Sequence, residues 1–270
     1  MHNQDETLRL IEDVIKIAEL AGREIMDIYE NSTPKALKTK SDQSPLTKAD
    51  VASHKSISKG LRKLLPKIPI VSEEDLESIN LGQSCQFFWL IDPLDGTKEF
   101  LARNGEFTVN IALISNQYPL FGVVVCPSSN ETYWGGQNFG AFKKISSSIK
   151  PIKVSESFAA QQLCRAIVSR NHANEDTQNF LSKIGDYVCI EAGSSLKFCK
   201  IADGSADLYP RLAPTSEWDT AAAQSILEGA GGYVFNLSGD RLVYGKSNIL
   251  NPYFIASSIS YDLLNQKINS

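Results

Sequence analysis

Apolar residues recur at three- and four-residue intervals across residues 7–29. Leu8, Ile11, Ile15, Ala18, Ile25 and Tyr29 form one stripe, with Glu12, Lys16 and Glu19 among the polar positions. That period predicts an amphipathic helix. Residues 31–45 carry two prolines and several lysines and read as a loop. A second helix is predicted from Thr47 to Leu65, burying Ile57, Leu61 and Leu64 and stopped by Pro66 and Pro69. Ile70-Val71 reads as a short strand that runs into the acidic turn Ser72-Glu73-Glu74-Asp75.

The pattern then turns to strands. Phe87–Ile91 is apolar throughout and bounded by Asp92-Pro93, which suits a buried strand. Thr108–Ser115, Phe121–Cys126 and Thr132–Trp134 follow at the close spacing of an antiparallel meander. The tract Ser146–Pro151 marks a plausible boundary. Beyond it strands and helices alternate: strands at Ala166–Ser169, Tyr187–Ile190, Ala206–Tyr209 and Phe254–Ala256, helices near Asn174–Ile184, Ser195–Ala202 and Asp219–Glu228. The expectation is an α+β chain with an antiparallel sheet in a first half, residues 1–148, and a mixed sheet with helices in a second, residues 149–270.

Composition narrows the function classes. The chain has 270 residues, 42% of them hydrophobic and 21% charged, close to the average of globular domains, so a disordered or collagen-like chain is excluded. No apolar run approaches the roughly 20 residues of a membrane-spanning helix. The opening Met1–Glu6 is polar and acidic, unlike a signal peptide, and predicts a cytoplasmic protein; a peripheral place on the inner face of a membrane stays open. A net charge of −4 argues against a broad nucleic-acid surface. Five scattered cysteines without CxxC spacing predict reduced thiols, mostly buried, and three histidines offer no zinc spacing.

The densest chemistry lies in Trp89-Leu90-Ile91-Asp92-Pro93-Leu94-Asp95-Gly96-Thr97. An apolar strand delivers two carboxylates, three residues apart, to a turn at a helix start. Such a turn can offer oxygens to a hard cation and backbone N–H groups to an anion. Alone, Asp-x-x-Asp-Gly is more often an ordinary turn. The Asp-x-Asp-Gly-Thr signature of haloacid-dehalogenase phosphatases looks alike, but its aspartates are two apart and near the N-terminus. Glu73, Asp219 and Asp50 each have a plain reading too: a solvated acidic turn, a carboxylate at a helix start, and part of a capping-box-like Thr47-x-x-Asp50.

Taken in order, Ser44-Pro45-Leu46-Thr47-Lys48-Ala49-Asp50, Ser72-Glu73-Glu74, Ile91–Phe100 and Trp218-Asp219-Thr220-Ala221-Ala222 resemble the lithium-sensitive, magnesium-dependent phosphatases that include the inositol monophosphatases. Arg103–Asn110, Gly193–Cys199 and Leu208–Arg211 resemble its bisphosphate nucleotidase branch. The resemblance implies a layered αβαβα sandwich and two Mg²⁺ ions, with a third position beside Asp50. It implies Glu73, Asp92, the carbonyl of Leu94, Asp95 and Asp219 as metal ligands. It also implies attack by an activated water, oriented by Asp50 and Thr97, with Glu73 as the other candidate base. The N–H groups of Gly96 and Thr97 would hold the scissile phosphate. Ser194, Lys197 and Arg211 would hold a second phosphate, with His172 near the base and Glu73, Leu94, Asp95 and Asp219 also at the substrate. The implied reaction is adenosine 3',5'-bisphosphate to AMP and phosphate, in sulfur metabolism, by a monomer or homodimer. An inositol or sugar phosphatase is the alternative, and a silent nucleotide-binding regulator a remoter one.

Overall fold

The computed structural model describes residues 4–32, 45–83, 85–160, 162–168 and 174–269. The chain begins with two long helices, α1 (Gln4–Asn31) and α2 (Pro45–Leu64). Seven strands follow: β1 (Ile70–Ser72), β2 (Phe87–Asp95), β3 (Thr108–Ser115), β4 (Tyr118–Cys126), β5 (Glu131–Gly136), β6 (Gly140–Ile145) and β7 (Ser148–Ile152). They form one sheet in sequence order, antiparallel throughout except for the parallel pair β1–β2. The short helices α3 (Ile79–Gly82) and α4 (Thr97–Ala102) flank β2. A second sheet contains β8 (Cys164–Val168), β9 (Tyr187–Glu191), β10 (Leu208–Arg211), β11 (Tyr233–Asn236) and β12 (Phe254–Ser257), in the order β11-β12-β10-β8-β9. Its pairings mix parallel and antiparallel, as expected. The remaining helices are α5 (Glu175–Ser182), α6 (Leu196–Ala202), α7 (Ala221–Gly229) and α8 (Tyr261–Ile268). Among the described residues no helix is long and apolar enough to cross a membrane.

Period-2 alternation builds the layers. On β2, Trp89 and Ile91 join Ile11, Val14, Ala18, Ala21 and Ile25 of α1 and Ile57 and Leu61 of α2 in one core cluster. Phe88 and Leu90 point the other way, into a cluster with Leu196, Phe198 and Cys199 of α6 and Ala222, Ile226 and Leu227 of α7. Tyr209, Val234 and Phe254 of the second sheet close that cluster from the far side. The opposite face of the second sheet, Ala166, Leu208 and Ile255, packs on Leu181 of α5 and Leu264 of α8. The order is therefore helices, sheet, helices, sheet, helices: the αβαβα sandwich.

Several local expectations change. Leu8 is 41% exposed, because the buried stripe of α1 runs through Val14 and Ala21 instead. Helix α2 begins at Pro45, so Thr47 lies inside it and is not its N-cap. The tract read as a boundary is the β6–β7 hairpin, turning at Ser146 with φ 55°. Its serines imitate a linker, and Pro151 is tolerated because β7 is an edge strand. A division after residue 148 would cut β7, which belongs to the first sheet through Ile152. Three of the five cysteines, Cys126, Cys164 and Cys199, are buried, while Cys189 is exposed; all are free thiols.

Helix α7 lies unusually close to the first sheet. A Cβ on Gly122 of β4 would sit 2.3 Å from the carbonyl oxygen of Ala222 and 2.6 Å from its Cα. Backbone cannot give way as a side chain can. Gly122→Ala is expected to lose the upper part of the about 1–3 kcal/mol typical of overpacking. A parallel thermal melt of Gly185→Ala, at φ 89° with nothing within 4 Å, reads a left-handed backbone cost without any clash, a cost that Gly122 does not carry.

Candidate active site

The site starts from an irregularity in β2. Asp92 pairs with Asn110 of β3, but Asp95 pairs with Thr108, three steps on one strand against two on the other. In a regular strand residues three apart face opposite sides. The extra residue of this bulge returns Asp95 to the face of Asp92. Gly96 then turns the chain into α4 with φ 96°, where a Cβ would also lie 3.2 Å from Cα of Phe107. The first N–H groups of α4, from Thr97 on, have no carbonyl within their own helix.

Two other segments meet this turn. Glu73 follows β1, with its N–H donated to the Ile91 carbonyl at 3.3 Å. Asp219 ends the single turn Glu217–Asp219 before α7, and its Oδ2 accepts the N–H of Ser216 at 2.8 Å. That turn is anchored by Glu217, which is buried and accepts the N–H groups of Gly245 at 2.7 Å and Lys246 at 3.1 Å. Oxygens of Glu73, Asp92 and Asp219 come within 4.8 Å of one another. Asp95 lines the same cavity, its Oδ2 accepting from Ser194 Oγ at 2.5 Å and Ser195 Oγ at 3.0 Å.

This is a costly arrangement for protein groups alone. Burial, then the charges of Asp95, Glu73 and Asp219, push the Asp92 carboxyl far above the usual carboxylate range. Burial and Asp95 push Asp219 up to about 7, opposed by the Ser216 N–H and Arg211. Burial chiefly, with the charges of Asp95 and Glu74, raises Glu73. Asp92 Oδ1 accepts the Leu94 N–H at 3.0 Å, while its Oδ2 is buried with no hydrogen-bond partner. An orphaned carboxylate oxygen beside two further carboxylates is an all-oxygen donor set that fits a hard divalent cation.

The cavity measures about 320 Å³. Of the residues expected at the site, Glu73, Asp92, Leu94, Asp95, Gly96, Thr97, Ser194, Lys197, Arg211 and Asp219 all line it. Asp50 is half-buried in the first turns of α2 and is not among the lining residues. His172 lies outside the described residues. Lys197 Nζ donates to the Ser194 carbonyl at 3.1 Å and stands 5.5 Å over the Tyr209 ring. Arg211 donates one Nη to the Pro214 carbonyl at 3.0 Å, and its Nε is buried without a partner. The cavity wall also contains Lys98, Glu99, Thr215, Thr220 and the mutually packed rings of Phe198, Tyr209 and Phe254, which sequence reasoning missed. Phe198 and Tyr209 fall within the segments that resemble the nucleotidase branch but carry no assigned role there, and Phe254 reads only as a strand residue.

The raised carboxyls fix the sign of a pH dependence. Asp219 and Asp92 hold protons in the folded chain at pH values where the unfolded chain, with carboxyl pKa near 3.8, has lost them. Stability without divalent cation therefore falls as pH rises from about 4 through about 7. In EDTA the melting temperature should be higher at pH 5 than at pH 8. Added Mg²⁺ should raise it at pH 8 and much less at pH 5, where protons compete with the ion.

Comparison with known proteins agrees with this geometry. Residues 7–269 match the inositol monophosphatase family. A 3'(2'),5'-bisphosphate nucleotidase CysQ of Escherichia coli O6:H1 is 43% identical over 249 residues, 92% of this chain and 99% of that one. The CysQ of Buchnera aphidicola is 38% identical over 93% of this chain and 94% of its own. The crystal structure of CysQ from Bacteroides thetaiotaomicron, 36% identical, superposes with a TM-score of 0.79 over 91% of this chain and 96% of that one. An inositol monophosphatase from Anabaena, 24% identical, shares the fold with a TM-score of 0.73 over 98% of this chain and 96% of that one. The layered sandwich, the carboxylate cluster and these likenesses together place the chain in the inositol monophosphatase family.

Proposed function

We propose that the protein is a Mg²⁺-dependent phosphatase that removes the 3'-phosphate of adenosine 3',5'-bisphosphate, giving AMP and phosphate. The observation that carries this reading is one cavity lined by two unlike sets of groups: the carboxylate cluster of Glu73, Asp92 and Asp219, and the cations Lys197 and Arg211. A substrate with two phosphates suits both sets, and the similar CysQ proteins are bisphosphate nucleotidases. The reaction would recycle a by-product of sulfate activation and sulfonate transfer.

In this reading Glu73, Asp92, Asp95, Asp219 and the Leu94 carbonyl hold two Mg²⁺ ions, and Asp50 stands by a third position. When bound, the ions neutralise phosphoryl oxygens and lower the pKa of a water. The chain's own groups do the rest. Gly96 and Thr97 offer N–H groups to the scissile phosphate at the start of α4. The Thr97 hydroxyl orients the attacking water. Of the two candidate proton acceptors, Glu73 lines the cavity and Asp50 does not, which favours the Glu73 carboxylate. Lys197 and Arg211 hold the phosphate that stays, while Ser194, expected there, turns its hydroxyl to Asp95 and Thr108; the buried, unpartnered Nε of Arg211 is a donor suited to a phosphate oxygen.

Two measurements test this. Phosphate release from adenosine 3',5'-bisphosphate should depend on Mg²⁺ and exceed release from inositol 1-phosphate; the reverse preference moves the protein to the inositol phosphatases. Arg211→Ala should raise KM for the bisphosphate, since it removes contacts made equally in ground and transition states. A charge-assisted pair contributes about 1.5–3 kcal/mol, so kcat/KM should fall at least about tenfold for the bisphosphate and hardly change for inositol 1-phosphate.

A further inference from the structure

Asp95 differs from the other carboxylates of the cavity in that three polar side chains converge on one of its oxygens. Its Oδ2 accepts from Ser194 Oγ at 2.5 Å, Ser195 Oγ at 3.0 Å and Asn110 Nδ2 at 3.4 Å. Its Oδ1 has no hydrogen bond among the described residues. Asn110 is itself fixed from both ends. Its Oδ1 accepts from Thr108 Oγ1 at 2.9 Å, and its Nδ2 donates to Ser195 Oγ at 2.9 Å. Thr108 and Asn110 are wholly buried, two apart on β3, and so share the face to which the bulge returns Asp95.

The protons in this cluster are directed. Thr108 has one hydroxyl proton, and Asn110 Oδ1 takes it. That contact sets which end of the amide is oxygen and leaves the nitrogen towards Ser195 and Asp95. Ser195 accepts from Asn110, so its own proton remains for Asp95 Oδ2, or for the Asp219 carbonyl 2.9 Å away. With the Thr108 proton on Asn110, the single Ser194 proton serves Thr108 Oγ1 or Asp95 Oδ2 but not both, so the Asn110 amide, with two protons, is the group that can supply Ser195 and Asp95 together. No residue but an amide fills the Asn110 position in this way. A carboxylate would present acceptors to acceptors, and an apolar side chain would leave the Thr108 hydroxyl and Asp95 each short of a partner.

We propose that Asn110, oriented by Thr108, is a positioning residue for Asp95. It pins Oδ2 inside the protein and thereby presents Oδ1 alone to the cation. Because Asn110 reaches Asp95 on the first sheet and Ser195 at the start of α6 together, the same amide sets the orientation of that carboxylate and the seating of the second half on the first. The inference rests on the reading of Asp95 as a metal ligand.

The test is a Mg²⁺ titration of the full chain, read by the rise in melting temperature without substrate and by the Mg²⁺ concentration for half-maximal turnover. Removing a residue that orients a ligand lowers metal affinity by about 10–100-fold. Asn110→Ala should shift both half-points upward by about that factor. The near-isosteric Thr108→Val, which keeps the core filled, should shift both in the same direction by less. At saturating Mg²⁺, KM for the bisphosphate should stay within about twofold of wild type. Unchanged half-points in both variants, whatever their melting temperature in EDTA, would overturn the proposal and leave Asn110 a packing residue. Wild-type turnover and melting that ignore Mg²⁺ would instead overturn the metal reading, and this inference with it.

Discussion

The structure is organised around negative charge that the side chains of the described residues do not neutralise. Glu73, Asp92 and Asp219 bring oxygens within 4.8 Å of one another, and Asp92 is buried. Arg211 is a cation that acts on Asp219, and it lines the same cavity. Elsewhere among the described residues the buried carboxylates are paired, Asp207 with Arg165 and Glu217 with Lys246, and so are the half-buried Glu228 with Arg241 and Asp203 and Glu131 with Lys143. The contrast separates a functional deficit of positive charge from ordinary ion pairs. The fold holds the unpaired set rigidly by placing its members on a strand, a strand end and a capped turn.

Two backbone details make that placement possible. The bulge between Asp92 and Asp95 puts both carboxylates on one side of β2, and Gly96 lets α4 begin at once beside Phe107. Neither contributes a functional side chain. Both determine where the functional atoms are, and the bulge also brings Asn110 and Thr108 under Asp95.

The sequence made the carboxylates legible because each stands where an apolar run stops: Glu73 after Ile70-Val71, Asp92 after Phe87–Ile91, Asp219 before the alanine-rich α7. The layers were legible for the same reason, since alternation and three-four spacing are local. What escaped depends on partners distant in the chain. The β6–β7 hairpin looked like a linker because an edge strand needs little apolar character. Tyr209, Phe198 and Phe254 showed only strand and helix patterning, because their place on a cavity wall depends on packing between segments far apart in the chain. Asn110 did leave a local trace, a lone amide inside the otherwise apolar run Val109–Ile114, but its meaning required Ser195, 85 residues away. Asp50 carries the resemblance in sequence and yet stands outside the cavity lining.

Helices α6 and α7 form the middle layer, with Leu196, Ala222 and Ile226 shared between the two sheets. This has a consequence during synthesis. When β7 leaves the ribosome, one face of the first sheet can already be covered by α1 and α2, but Phe88, Leu90 and Val124 on the other face have no cover until α7 emerges. The roughly 80 residues between Ile152 and Gly229 take about 4–15 s to translate at ~5–20 residues per second. For that interval the nascent chain displays a broad apolar surface, and helices made later, in the second half, complete the first-made sheet. The arrangement that lets both halves furnish one cavity also makes the chain dependent, while it is being made, on whatever shields exposed apolar surface in the cell.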